Sequence, residues 1–173
     1  MRSASQTTGT GFSLRDYRPA DFEALWRIDQ HCFPPGISYS RLELSSFLTR
    51  RHAIALVAEY ERESPLPEVA HAEAGNGSIA GFVIAHPFRR KYGRILTLDI
   101  LPEARRFGLG TRLMLAAEER LRDLGCGEVF LETAVNNEAA LRLYGKLGYQ
   151  VLRTLPGYYA SHSLDAFHMG KPL

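Results

Sequence analysis

The chain has 173 residues, 45% of them hydrophobic and 23% charged, with a formal net charge of +2. That length suits one folded core, and the composition is ordinary for a globular protein in water. So small a charge gives no basis for a nucleic-acid partner, and no run is apolar for long enough to span a bilayer.

Residues 1–11 are polar and rich in Ser, Thr and Gly, without the apolar centre of a signal peptide. They read as a flexible tail before a single domain over residues 12–173. Cys32 and Cys126, with no Cys-x-x-Cys, fit a reducing, cytoplasmic setting. Phe12-Ser13-Leu14-Arg15 alternates and predicts a first strand. Pro19 suits a helix start, and Phe22, Leu25, Trp26 and Ile28 give that helix an apolar face before Phe33-Pro34-Pro35-Gly36 breaks it. A second helix is predicted over residues 40–50, with Leu42, Leu44, Phe47 and Leu48 apolar. Residues 53–60 read as a strand. Residues 61–78, with Pro65, Pro67 and Gly75-Asn76-Gly77, read as a long hairpin loop.

Strands follow over 79–88 and 92–101, the second so continuously apolar that burial on both faces is expected. Arg89-Arg90-Lys91 with Arg94 reads as a solvated basic turn between them. A helix over 109–124 carries Leu109, Leu113, Ala117, Leu121 and Leu124 on one side and Arg112, Glu119, Arg122 and Asp123 on the other, and Gly125 ends it. Residues 128–135 form a strand. Asn136 or Asn137 caps the next helix, Glu138 favours its first turn and Gly148 closes it. Residues 149–155 and 165–169 read as the last strands. The order is a mixed α/β domain with a parallel pair joined through the 109–124 helix.

The stretch Arg105-Arg106-Phe107-Gly108-Leu109-Gly110-Thr111 lies between a strand and a helix. Glycines let backbone approach a ligand, and the first N–H groups of a helix lack partners at the positive end of its dipole. A phosphate or pyrophosphate is the natural occupant. A nucleotide P-loop needs a Lys beside the Ser or Thr, but Gly110 is followed directly by Thr111. A dinucleotide turn fits Gly108 and Gly110 and has an acidic residue, Glu132, further on. It has Leu113 in place of a third glycine, and too little chain follows.

The third reading is an acyl-CoA pyrophosphate turn. Arg105-x-x-Gly108-x-Gly110 resembles the Arg/Gln-x-x-Gly-x-Gly/Ala signature of the GNAT superfamily of acetyl-CoA-dependent N-acetyltransferases. The stretch from Asn137 to Tyr149 resembles the family's Asn-x-x-Ala-x-x-x-Tyr-x-x-x-Gly-Phe/Tyr pattern. More narrowly, Leu131-Glu132-Thr133, Gly157-Tyr158-Tyr159, Asp165-Ala166-Phe167-His168-Met169 and Phe33-Pro34 are similar to ribosomal-protein alanine N-acetyltransferases, which acetylate protein N-termini. Phe107 departs from the family's usual polar or basic residue.

The resemblance implies a mixed, mostly antiparallel seven-stranded sheet flanked by about four helices, with a parallel pair splayed at the acetyl-CoA site. It implies that Arg105, Arg106, Phe107, Gly108, Leu109, Gly110 and Thr111 hold pyrophosphate. Leu98, Asp99 and Ile100 on the preceding strand, and Asn137, would also contact the cofactor. Glu132 would be the base and Tyr144 the acid, the two positions assigned those roles in the alanine N-acetyltransferases. The acceptor would lie against residues 33–50, 61–78 and 155–162, with Phe33, Tyr158 and Tyr159 as contacts.

Each of these residues has a plainer reading. Glu132 alone is a polar strand residue, and Tyr144 alone packs with Leu143 and Leu147. Asp99 is a second possible base, or a strand-end residue tied to local backbone, which is preferred. Cys126 between two glycines is a turn residue, and nothing near it supports a Cys-based acyl-enzyme. The spacing of His31, His52, His162 and His168 predicts no metal site. The expected partner is a protein N-terminus or a small amine, with no nucleic acid and no membrane, and a monomeric or homodimeric state. A non-catalytic acyl-CoA-binding module is the alternative of another class.

Overall fold

The structure is a computed structural model and describes residues 11–61, 79–89 and 91–173. The polar tail over residues 1–10 and most of the 61–78 loop lie outside these residues. Gly11 is buried, and its carbonyl accepts the Glu61 N–H at 2.9 Å.

In chain order the elements are β1 (Phe12–Asp16), α1 (Phe22–Cys32), α2 (Arg41–Leu48), β2 (Ile54–Tyr60), β3 (Ile79–Phe88), β4 (Tyr92–Ile100), α3 (Leu109–Asp123), β5 (Glu128–Ala134), α4 (Glu138–Lys146), β6 (Gln150–Tyr159) and β7 (Leu164–Pro172). They build one seven-stranded sheet of order β1-β2-β3-β4-β5-β7-β6. Every neighbouring pair is antiparallel except β4–β5, which is parallel and joined through α3.

The helices form where the pattern says they should, and their ends follow capping chemistry. Ser40 is the N-cap of α2 in a reciprocal box with Glu43, so the helix starts at Arg41, and it ends at Leu48 rather than at residue 50. Asn137 Oδ1 accepts the Ala140 N–H at 3.2 Å and opens α4. Gly125, at φ 83°, closes α3 in the left-handed region. Leu109, Leu113, Ala117 and Leu121 are buried as expected. Leu124 lies beyond the last turn and is exposed, while Met114 and Glu118 are buried instead. Glu118 accepts the Tyr149 hydroxyl at 2.9 Å and forms an ion pair with Lys171 at 2.8 Å.

Two strand expectations change. Burial on both faces belongs to β3, which is buried from Ile79 through His86. In β4 only alternate residues are fully buried, and those between them are partly exposed. The Gly157-Tyr158-Tyr159 segment is not a turn but the bulged end of β6. A register shift falls between Leu155 and Tyr159, and the reversal comes at Ala160–His162 and Ser163.

Candidate active site

Three features meet at the centre of the sheet. The first is a gap. The parallel register of β4 and β5 covers only Tyr92, Gly93 and Arg94 against Glu128, Val129 and Phe130, and then the strands part. The Leu101 N–H bonds to the Ala80 carbonyl, so strand alternation turns the backbone groups of Ile100 and Leu98 toward the gap. A bulge sets the side chains of this segment. Ile84 pairs with Thr97 and Ala85 with Ile95, leaving Leu96 without a register partner. After the bulge Leu98 and Ile100 reach toward Gly110 of α3, and Thr97 and Asp99 turn toward α1. Asp99 therefore does not present its carboxylate to the gap. It is fully buried, accepts the Thr97 hydroxyl and faces Asp29.

The second feature is the turn into α3. Arg106 and Gly108 are both left-handed, at φ 69° and 74°. The first intrahelical bond runs from the Arg112 N–H to the Gly108 carbonyl, so the N–H groups of Leu109, Gly110 and Thr111 have no helical acceptor, and no side chain caps this end. A Cβ on Gly108 would meet nothing within 4 Å, so the turn opens outward. Gly110 is buried, and a Cβ there would lie 3.0 Å from Leu143 Cδ2 and 3.1 Å from Ile100 Cδ1. A side chain at this point would push the helix off β4 and α4. Arg105 turns back from the bend, and its Nε donates to the Ile100 carbonyl at 3.0 Å. Phe107 is part-exposed and packs its ring 6.0 Å from that of Phe12.

The third feature is a cluster of polar side chains beside the gap. Glu132 lies two residues beyond the last β4–β5 pair. Its Oε2 accepts from Arg94 Nη2 at 2.9 Å, and its Oε1 lies 2.9 Å from His168 Nδ1. His168 is the register partner of Glu132 on β7, and its ring stacks on Phe130. Tyr158 brings its hydroxyl to 3.5 Å from Arg94 and packs edge-on against Tyr159. Burial, followed by the charge of Glu132, raises the Tyr158 hydroxyl above the usual phenol range. Burial, Tyr158 and Glu132 push Tyr159 up to about 12. Tyr144, on α4, is buried against Tyr149, and burial followed by Asp99 and Tyr159 pushes its hydroxyl well upward. Tyr159 is thus an electrostatic neighbour of both Glu132 and Tyr144.

The α1–α2 segment walls one side. The Tyr39 hydroxyl donates to the Leu96 carbonyl at 3.1 Å, and Cys32 Sγ donates to the Ile100 carbonyl at 3.4 Å. Phe33 is half-buried as the C-cap of α1. Ser161 Oγ reaches the Gly36 carbonyl at 3.3 Å, so the β6–β7 reversal touches this segment. Asn137 spends its side chain capping α4.

Sequence reasoning missed Arg94, His168, Tyr39 and Asp29. Arg94 is not part of a solvated turn; it lies on β4 and pairs with Glu132. Strand pairing is the signal that would have found His168, through the opposition of residues 132 and 168. Among the described residues, no group of three His, Cys, Asp or Glu side chains is arranged to hold a metal, and no helix is long and apolar enough to cross a membrane.

Comparison with known proteins gives a consistent picture. The N-alpha-acetyltransferase of Sulfurisphaera tokodaii is 28% identical over 174 residues, covering all of both chains. N-alpha-acetyltransferase 20 of Dictyostelium discoideum is 32% identical over 131 residues, covering 73% of this chain and 75% of that protein. The structure of Arabidopsis thaliana NAA60 in complex with acetyl-CoA superposes with a TM-score of 0.76 at 22% identity, over 94% of this chain and 98% of that one. The acetyltransferase (GNAT) family pattern matches residues 22–149, and the chain belongs to that family.

Proposed function

We infer that the protein transfers the acetyl group of acetyl-CoA to the N-terminal α-amine of a protein or peptide. It is an acetyl-CoA-dependent N-acetyltransferase, and relatives along its whole length are N-alpha-acetyltransferases. One observation supports the cofactor assignment most directly. The bend at Arg106–Gly108 offers unpartnered N–H groups beside an open glycine, next to a strand edge that has lost its neighbour. Those groups fit a diphosphate and an extended amide-bearing arm. Bound there, acetyl-CoA supplies an acyl group activated as a thioester.

Arg106 through Thr111 hold the diphosphate by their backbone. Hydrogen bonds to charged groups contribute roughly 1.5–3 kcal/mol each, so a few dominate affinity. The gap-facing N–H groups of β4 align the extended arm and polarise the thioester carbonyl. Glu132, directly or through water, accepts the proton of the incoming ammonium. A peptide α-amine has a reference pKa of roughly 7.7–8.0, so this requires only mild help near neutral pH. Arg94 and His168 fix the carboxylate from either side. Tyr144 donates a proton to the departing thiolate. The hydroxyl holds its proton at neutral pH, as donation requires. Tyr39, Tyr158 and Tyr159 line the acceptor side with flat, partly polar surfaces suited to a peptide backbone.

The reading is tested by offering peptides beginning with Ala or Ser, alongside polyamines and aminoglycosides, and following thiol release from acetyl-CoA. Turnover of the peptides with none of the small amines supports it. Exclusive turnover of small amines rejects the peptide acceptor, and CoA binding without transfer to any amine rejects the enzyme.

A further inference from the structure

Asp29 on α1 and Asp99 on β4 are each 0% exposed. Asp29 Oδ2 accepts the Tyr39 N–H at 2.7 Å and Gln30 Nε2 at 3.0 Å. Asp99 Oδ1 accepts the Thr97 hydroxyl. The two remaining oxygens, Asp29 Oδ1 and Asp99 Oδ2, are buried and have no donor. The carboxyl groups face each other within hydrogen-bonding contact. Two ionised carboxylates cannot make that bond, and two like charges in an apolar interior repel strongly. One proton placed between them satisfies both orphaned oxygens and removes one charge.

We propose that Asp29 and Asp99 share a single proton, and that this bridge latches the end of α1 and the Tyr39 segment to β4, positioning the acceptor side of the site. Among the described residues, no positive charge faces the pair itself. From α1 and the segment after it, Cys32 and Tyr39 face the carboxyls, and α2 adds the negative Glu43. From β4 comes Thr97, and from α4 comes Tyr144. Arg105, on the turn before α3, is engaged by the Ile100 carbonyl and by Cys32. Burial pushes Asp29 up to about 6 and Asp99 well above the ordinary carboxylate range, and the pair titrates as a unit.

The bridge matters because of what hangs on it. Asp29 holds the Tyr39 backbone, and the Tyr39 hydroxyl holds the Leu96 carbonyl at the bulge where β4 borders the gap. Cys32, one turn beyond Asp29, holds the Ile100 carbonyl. Removing the proton leaves two facing buried charges that drive α1 away from β4 and release these links. Asp29 and Asp99 are positioning residues in this account, since neither is placed to touch the reacting atoms. The positioning role rests on the acetyltransferase reading; the shared proton does not.

The test measures affinity for an N-acetylated, Ala-initiated peptide, which has no amine to titrate, from about pH 6 to about pH 9. Infrared spectra of the same protein follow the carboxylic-acid band over the same range. In the wild type, the acid band is expected near neutral pH and is lost as pH rises, with affinity falling about tenfold per pH unit beyond the transition. Asp29→Asn supplies a permanent N–H donor toward Asp99 and keeps an oxygen for Tyr39, so its affinity stays flat with pH. Asp29→Ala binds weakly throughout; should it fail to fold, the Asn variant still decides. Absence of an acid band at neutral pH, or wild-type pH dependence in Asp29→Asn, overturns the proposal. A wild type that binds no peptide but shows the acid band defeats the acceptor reading and leaves the shared proton standing.

Discussion

Arg94 and Glu132 meet across the parallel β4–β5 pair where its register ends, with Arg94 Nη2 2.9 Å from Glu132 Oε2. The ion pair spans the mouth of the gap, so the carboxylate is held at the place where the strands part. Removing its charge while keeping its shape should strike turnover and spare cofactor binding. Glu132→Gln is expected to lower kcat about 10²–10⁴-fold with CoA affinity unchanged, measured by steady-state kinetics and calorimetry. Arg94→Gln leaves Glu132 tethered by His168 alone and should give a smaller loss, about tenfold.

Tyr144→Phe removes one hydroxyl from a buried ring and keeps its packing on Tyr149. Turnover is expected to fall about 100-fold while Tm stays within a few degrees of wild type. Wild-type turnover in this variant removes Tyr144 from the role of proton donor.

The two turn glycines should fail differently. Gly108→Ala meets no neighbour within 4 Å but forces a left-handed backbone on an L-residue, at a cost of about 1–2 kcal/mol. Its added methyl also points into the opening where phosphate is expected, so CoA affinity should fall with only modest destabilisation. Gly110→Val drives a branched side chain into Leu143 and Ile100. It is expected to unfold earlier even without cofactor, by about 1–3 kcal/mol in denaturant titration.

Acid stability should depend on Asp21. Burial alone would raise its carboxyl, but hydrogen bonds from Arg15 and the Arg18 N–H outweigh this and hold it below the usual carboxylate range. The unfolded chain therefore binds a proton before the folded one does. The stabilisation is fully present above the ordinary carboxylate pKa and is lost as pH falls through the lowered folded value. Asp21→Asn should cost about 1–3 kcal/mol at neutral pH and show a shallower loss of Tm on acidification. Equal slopes for both proteins would place the acid sensitivity elsewhere.

The order of strands and helices was legible because each element carries its own local signal. Helices announced themselves by apolar spacing and capping residues such as Ser40 and Asn137, and β3 fell at the predicted residues. The bend at Gly108 was legible too, since backbone freedom and a helix start are properties of a few adjacent residues. With the family resemblance, these signals were enough to name acetyl-CoA and to put forward Glu132 and Tyr144 as candidates.

The surroundings of those residues came from contacts remote in sequence, which no local pattern encodes. Residue 168 reaches Glu132 only because β7, the last strand, inserts beside β5, and Arg94 only because the parallel pair stops three residues in. The bulge at Leu96 reverses which side chains of β4 face α1, so Asp99, apparently a groove residue, is sealed against Asp29. A one-residue change of register turns every later side chain to the opposite face, and only the paired sheet decides where that change falls.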